Sequence, residues 1–295
     1  MKKINLMLLG SLILVALVIS SASAAPFRVM TYNLRYDNPQ DSLDNWKYRR
    51  DFIVSTIKFH KADILCIQEG LVHQVHFLAD SLSEFSWYGI GRDDGKNAGE
   101  FSAIFYKKNR FMRIDSGTFW LSATPEKPTM GWDAACIRIC TWVKLMDASN
   151  GAIFLLTNTH FDYVGKVARI ESSKLLRLRI AKLSSDTLPV ITCGDFNSSE
   201  TDSAYTIMTT ALPIPQLYDT KNISLLPHHG PANTFSGFHV KEGIIGERID
   251  FIFVTKSIRV LQHATISDFK DDLRFPSDHL PVITEIEVPH AIIRT

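Results

Sequence analysis

Apolar residues recur along the chain with two periods, and the switches between them divide it into strands and helices. Residues 27–33 (FRVMTYN), 64–69 (ILCIQE), 153–159 (IFLLTNT) and 190–193 (VITC) are short, largely apolar runs, the pattern of buried strands. Trp46, Arg49, Phe52, Ile53, Thr56 and Ile57 fall at helical spacing, with Asp44 or Asn45 as a cap. Leu71, Val75, Leu78 and Leu82 mark a second amphipathic helix, residues 167–183 a third, and Ala204, Ile207, Met208 and Ala211 a short fourth. Residues 87–142 read as several antiparallel strands joined by polar turns, notably GRDDGKNAGE at 91–100. The tail adds strands at 249–254 and 281–287 with a weaker one between. No repeat or Pro/Gly/Ser-rich linker divides the chain, so these patterns predict one α/β domain: two packed sheets with helices outside.

The N-terminus breaks the pattern. Lys2 and Lys3, an apolar stretch over 6–19 and the small residues Ala22, Ser23 and Ala24 have the layout of a secretory signal peptide. The apolar stretch is shorter than the ~20 residues a bilayer span needs. The expectation is a signal peptide at 1–24, a working domain at 25–295, and an exported protein, periplasmic or extracellular, with no stable membrane span after cleavage. Over 295 residues the composition is 45% hydrophobic and 21% charged, ordinary for a globular protein. Loss of Lys2 and Lys3 takes the formal charge from +1 to −1, which removes the basic surplus of a general nucleic-acid binder. The domain is expected to act as a monomer.

Export invites a disulfide reading of Cys66, Cys136, Cys140 and Cys193, yet each falls in an apparent core strand. Cys136 and Cys140 in one extended strand would lie roughly 13 Å apart and cannot bridge. Free buried thiols are expected, with a Cys66–Cys193 pair on adjacent strands as the alternative.

The strand ends carry the chemistry. Asn33 ends the first strand, Glu69 the next, and His160 ends NTHFD. Asp195 and Asn197 close VITCGDFN two residues apart, so both face one side of the rim. Asp250 sits inside ERIDFIFV, where an unpaired charge is expensive, and His279 in PSDHLPV is its natural partner. One polar strand end is unremarkable, but six suggest a shared rim able to hold water, metal or phosphate.

The ordered set Asn33, QE at 68–69, NTHFD at 158–162, GDFN at 194–197, RID at 248–250 and SDH at 277–279 resembles the endonuclease/exonuclease/phosphatase superfamily of DNase I-like enzymes. The resemblance covers about residues 27–288, and residues 91–108 and 116–122 resemble an exported bacterial subgroup. It implies a four-layer α/β/β/α sandwich of two mainly antiparallel sheets flanked by helices. It also implies hydrolysis of a phosphodiester or phosphomonoester by in-line water attack with Mg²⁺, or Mn²⁺ in its place. Carried over, Glu69 is the principal metal ligand, with Asn33 and Asp278 close by. Asp195 orients or deprotonates the water, and Asn197 donates to the phosphoryl oxygen. His279, oriented by Asp250, is an acid/base or phosphate-stabilising group, and His160 protonates the leaving oxygen.

Some residues keep two readings. Arg138 is a phosphate clamp or a buried ion-pair partner. Asp162 touches substrate or is a loop acid. His228 and His229 are loop residues near the substrate at most, and Asp93 and Asp94 a solvated turn. A nuclease acting on DNA or RNA, or a non-catalytic binding protein that kept the fold, are the alternatives to a phosphoesterase acting on a smaller or lipid substrate.

Overall fold

The computed structural model describes residues 25–289 except 186–187, 212–214 and 245. The expected signal peptide lies outside the described residues. Among those described, no helix is long and apolar enough to cross a membrane.

In chain order the elements are β1 (Phe27–Asn33), α1 (Trp46–Phe59), β2 (Ile64–Gln68), α2 (Val72–Ser81), β3 (Phe85–Tyr88), β4 (Ile104–Lys107), β5 (Phe111–Trp120) and β6 (Ile139–Asp147). They continue with β7 (Ile153–His160), α3 (Lys166–Ser184), β8 (Val190–Asp195), α4 (Ser203–Thr209), β9 (Leu217–Asp219), α5 (Thr220–Ile223), β10 (Asp250–Thr255), β11 (Arg259–Thr265) and β12 (Val282–Glu287). One six-stranded sheet runs β11-β12-β1-β2-β4-β3, the other β5-β6-β7-β8-β10-β9. All the named neighbours pair antiparallel except β1 with β2 and β7 with β8. A parallel pair needs a long crossover, and α1 and α3 supply it.

Period-two alternation divides each strand between two cores. In β1, Phe27 and Val29 face the opposite sheet, while Met30 and Tyr32 pack under α1 beside Trp46, Ile53 and Ile57. In β10, Ile252 and Val254 face the opposite sheet, and Phe251 and Phe253 lie under Leu176 and Ile180 of α3. Three cores between four layers give the expected α/β/β/α sandwich.

Along the inter-sheet core the residue type changes towards one rim. Ile64 and Cys66 of β2 are apolar or nearly so, but Gln68 carries a carboxamide. Its Nε2 donates to Asn158 Oδ1 at 2.7 Å across the sheets, and Asn158 Nδ2 donates back to the Ile67 and Ala103 carbonyls at 2.8 and 2.9 Å. The donors of both carboxamides are paired, while Gln68 Oε1 has no partner among the described residues, and one step beyond them the rows end in Asn33, His160, Asp195 and Asp250.

The cysteine expectation holds in part. All four thiols are free. Cys66 and Cys193 belong to opposite sheets rather than to adjacent strands, and meet in the inter-sheet core. Cys136 is not in a strand: β6 starts at Ile139, and Cys136 and Arg138 belong to the loop before it.

Candidate active site

The rim opens into a cleft of about 870 Å³ whose walls include Glu69, His160, Asp195, Asn197, Asp278 and His279. Strand register brings them together, because Asn33 pairs with Gln68, His160 with Asp195, and Asp195 with Asp250. Two backbone features aim the side chains. Glu69 and Asn197 follow their strands in left-handed conformations, with φ of 61° and 44°, uncommon for residues other than glycine and typical of functional sites. Gly194, at φ 156°, lies so close to β7 that a Cβ would stand 2.2 Å from the Thr159 carbonyl oxygen.

Asp195 is the hub. Its Oδ2 accepts from Asn33 Nδ2 at 2.9 Å and stands 3.4 Å from His160 Nε2 and 3.7 Å from His279 Nε2, while Oδ1 accepts from the Asn197 backbone N–H at 2.9 Å. Asn33 is fully buried behind the cleft wall. Its Nδ2 also donates to Glu69 Oε1 at 3.0 Å, and its Oδ1 accepts from the Arg35 N–H at 2.9 Å. It therefore presents its amide to the two carboxylates and braces them.

The two histidines differ in kind. His279 Nδ1 donates to Asp250 Oδ2 at 2.9 Å, leaving Nε2 towards Asp195 and the cleft. Burial pulls this imidazole down, but the Asp250 and Asp195 carboxylates outweigh it and hold its pKa well above the ordinary histidine value. Phe235 packs edge-on against its ring, with centroids 5.2 Å apart. Burial, with Arg138 adding to it, pushes the pKa of His160 down to about 3, so His160 is neutral.

The tautomer of His160 follows from Asn197. Asn197 Nδ2 donates to the Phe161 carbonyl oxygen at 3.0 Å, and that oxygen can only accept. The same amide lies 3.1 Å from His160 Nε2, which must then be the acceptor, and the ring proton sits on Nδ1. Both amide protons of Asn197 are engaged within the protein. His160 directs its N–H towards Glu100, not towards the hub.

Arg138 is a buried ion-pair partner, with its Nε facing Asp162 Oδ2 at 3.4 Å, and it also lines the cleft. Asp162 is an acid of the loop after β7, as one of its two readings had it. It is buried off the cleft, with Oδ1 accepting from the Val164 and Gly165 N–H groups and Oδ2 from that of Ala135.

Two contributors had no signal in the strand-end pattern. Glu100 reaches the cleft from the compact loop 91–100, and its Oε2 accepts from Arg92 at 2.6 Å. Arg49 of α1 donates to the carbonyls of Asp44 (2.8 Å), Arg35 (2.6 Å) and Pro276 (3.2 Å), tying the loop after β1 to the one that carries Asp278. The RID arginine, Arg248, is structural: it grips Asp219 with two bonds of 2.6 and 2.7 Å.

A sequence profile of the Endonuclease/Exonuclease/phosphatase family matches residues 30–279. The chain belongs to this family. Family members of known structure include an endonuclease/exonuclease/phosphatase from Bacteroides vulgatus, 40% identical, with a TM-score of 0.83 over 90% of this chain and 99% of that one. A mannosyl-6-phosphatase from Bacteroides thetaiotaomicron is 35% identical, with a TM-score of 0.81 over 88% of this chain and 99% of its own. Among curated sequences, mouse nocturnin is 23% identical over 308 residues, which take in 92% of this chain and 68% of nocturnin. The chain spans as little as 36% of the length of another curated relative, from a mimivirus.

Proposed function

We propose that the protein is a divalent-metal-dependent phosphoesterase that hydrolyses its substrate by in-line attack of water. The observation that carries this reading is the pairing of Glu69 and Asp195, carboxylates from opposite sheets held by one amide, with the elevated His279 beside them.

The donor set fits a hard cation. Glu69, Asp195 and Asp278 offer carboxylate oxygens, the ligands Mg²⁺ and Mn²⁺ prefer. Burial pushes the Asp278 carboxyl up, with Glu69 adding to it, and burial and Asp250 do the same to Asp195, a crowding of negative charge that a cation relieves. Glu69 and Asp278 would hold the ion, which when bound polarises the phosphoryl group and offsets charge on the leaving oxygen. Asp195 Oδ2 accepts the proton of the attacking water, helped by its raised pKa. His279 donates through Nε2 to a phosphoryl oxygen, with Asp250 fixing the ring. Asn33 keeps Glu69 and Asp195 in register.

The likeness to a mannosyl-6-phosphatase favours a small phosphoester. Export rests on the layout of residues 1–24. Action as a monomer rests on a site completed by both sheets of one chain. The test is Glu69→Ala and His279→Ala in the chain 25–295. Each should lower Mg²⁺-dependent hydrolysis of bis-p-nitrophenyl phosphate by at least about 10²-fold with the circular dichroism spectrum retained. Activity that survives both changes overturns the reading.

A further inference from the structure

A second groove, of about 440 Å³, shares no residue with the cleft and lies between α1 and the segment that follows β11. Phe52, Ser55, Thr56 and Phe59 form one wall, at the i, i+3, i+4, i+7 spacing of a single helical face. Ser267, Asp268 and Phe269 form the other. Phe59 and Phe269 are 76% and 49% exposed, so large rings stand in water on both sides of one opening. Single apolar residues at a surface need no account, but rings gathered around a carboxylate do.

The polar groups of this groove are underused. Thr56 is buried, and its hydroxyl has no hydrogen-bond partner among the described residues. A helical threonine can bond the carbonyl three or four residues back, and Thr56 forgoes that bond. Such unmatched buried atoms are rare and costly. Asp268 Oδ2 lies 2.8 Å from His60 Nε2, while Oδ1 has no hydrogen bond among the described residues. The neighbouring cation, Lys270, is engaged elsewhere, donating to the Tyr48 carbonyl oxygen.

Both walls are fixed in place. Ile266 N–H donates to the Pro281 carbonyl oxygen at 2.9 Å and Lys270 N–H to that of Arg274 at 3.1 Å. Phe269 packs edge-on against Phe275, with ring centroids 6.4 Å apart. On the other side, Ile53 and Ile57 anchor α1 in the core beneath it. The groove is therefore preformed, as small-ligand sites usually are.

The donor–acceptor pattern selects the ligand. Asp268 repels an anion, and a wholly apolar ligand would strip water from the carboxylate without returning a bond. A carboxylate only accepts, and the hydroxyls of Thr56, Ser55 and Ser267 also accept, so the complementary group is a cation rich in N–H donors. Aromatic rings attract the same charge and cover the alkyl stem behind it. A guanidinium favours a carboxylate with both oxygens free, and His60 already holds one of them. A primary ammonium on a short alkyl chain meets every requirement.

We propose that Phe52, Thr56, Phe59, Asp268 and Phe269 form a binding site for an alkyl primary ammonium, carried by a free amine or by a lysine side chain of a peptide. The site stands independently of the phosphoesterase reading.

The experiment is calorimetric titration of residues 25–295 with n-pentylammonium, 1-pentanol and the tripeptide acetyl-Gly-Lys-Gly-amide, in the wild type, Asp268→Asn and Thr56→Val. In the wild type an ammonium should bind at least about 10-fold more tightly than pentanol, and Asp268→Asn should weaken it by a similar factor. Thr56→Val removes only an unpartnered hydroxyl, so it should unfold at no lower a temperature than wild type and still lose affinity by at least about 5-fold. Binding of the tripeptide but not of pentylammonium assigns the site to lysine side chains, and the reverse assigns it to free amines. Thermal unfolding checks that each variant folds; should Asp268→Asn not fold, Thr56→Val decides alone. Unchanged affinity in the folded variants overturns the site. So does pentanol bound as tightly as the amine, or a wild type that binds neither ammonium at about 10 mM.

Discussion

At the scale of single residues, orientation decides function more than identity does. Asn33 bridges Glu69 and Asp195 through one NH₂ group, so it fixes the distance between carboxylates from two separate sheets. Its removal in Asn33→Ala should leave both acids in place but loosely held, and small misplacements of reacting groups are expensive in rate. The expected result is a kcat lower by roughly 10–100-fold with a smaller change in KM; a kcat within a factor of two of wild type would show that the brace is dispensable. Sequence named Asn33, Asn197 and His160 because polar residues at the ends of apolar runs stand out. It did not say which atom each would present. That depends on the Phe161 carbonyl and the Arg35 N–H, neighbours brought in by the fold and by a left-handed turn. Glu100 was invisible for a related reason: in a polar loop, one acid among many carries no periodic signal.

At the scale of elements, the parallel pairs β1–β2 and β7–β8 do the assembling, each end-on to the cleft with a crossover helix behind. These strands were legible because burial on both faces leaves near-continuous apolar runs, and the carboxylates at their ends broke those runs. β9, three residues long, and the true start of β6 were not, since a short strand carries little pattern and the extended loop holding Arg138 mimics a strand. Gly194 is where this layer is least tolerant. Gly194→Ala places a methyl 2.2 Å from the Thr159 carbonyl oxygen and must part β7 from β8 just below His160 and Asp195. A loss of about 1–3 kcal/mol in unfolding free energy is expected, together with reduced hydrolysis. An unchanged urea midpoint would mean that the strands yield without cost.

At the scale of the whole molecule, the site is a product of sheet packing, and parts remote from it set the conditions under which it survives. His228 and His263 form such a part. His228 Nε2 donates to the Pro231 carbonyl oxygen at 2.9 Å, so its Nδ1 accepts from His263 Nδ1, also at 2.9 Å. The pair lies away from the cleft, and His228 is the loop residue that the sequence suggested. Burial pushes the pKa of His263 down to about 2, with Arg248 and His228 adding to it. Unfolded histidine titrates near 6.5, so the unfolded chain binds the proton first. The stabilisation is complete above that pH and is lost as pH falls towards the folded value, about 2 kcal/mol of it by pH 5. In His263→Gln, that share of the decline in unfolding free energy between pH 7.5 and pH 5 should vanish; an equal decline in both proteins would contradict it.

We propose that carboxylates drawn from two sheets hold a divalent cation and activate water against a phosphoester. The most direct test is phosphate release from hexose 6-phosphates and cleavage of bis-p-nitrophenyl phosphate by residues 25–295, stripped with chelator and then titrated with Mg²⁺ or Mn²⁺. Negligible turnover after stripping, and saturable recovery that Glu69→Ala abolishes, is the predicted result. Full activity of the stripped protein, or recovery undiminished in Glu69→Ala, would contradict it.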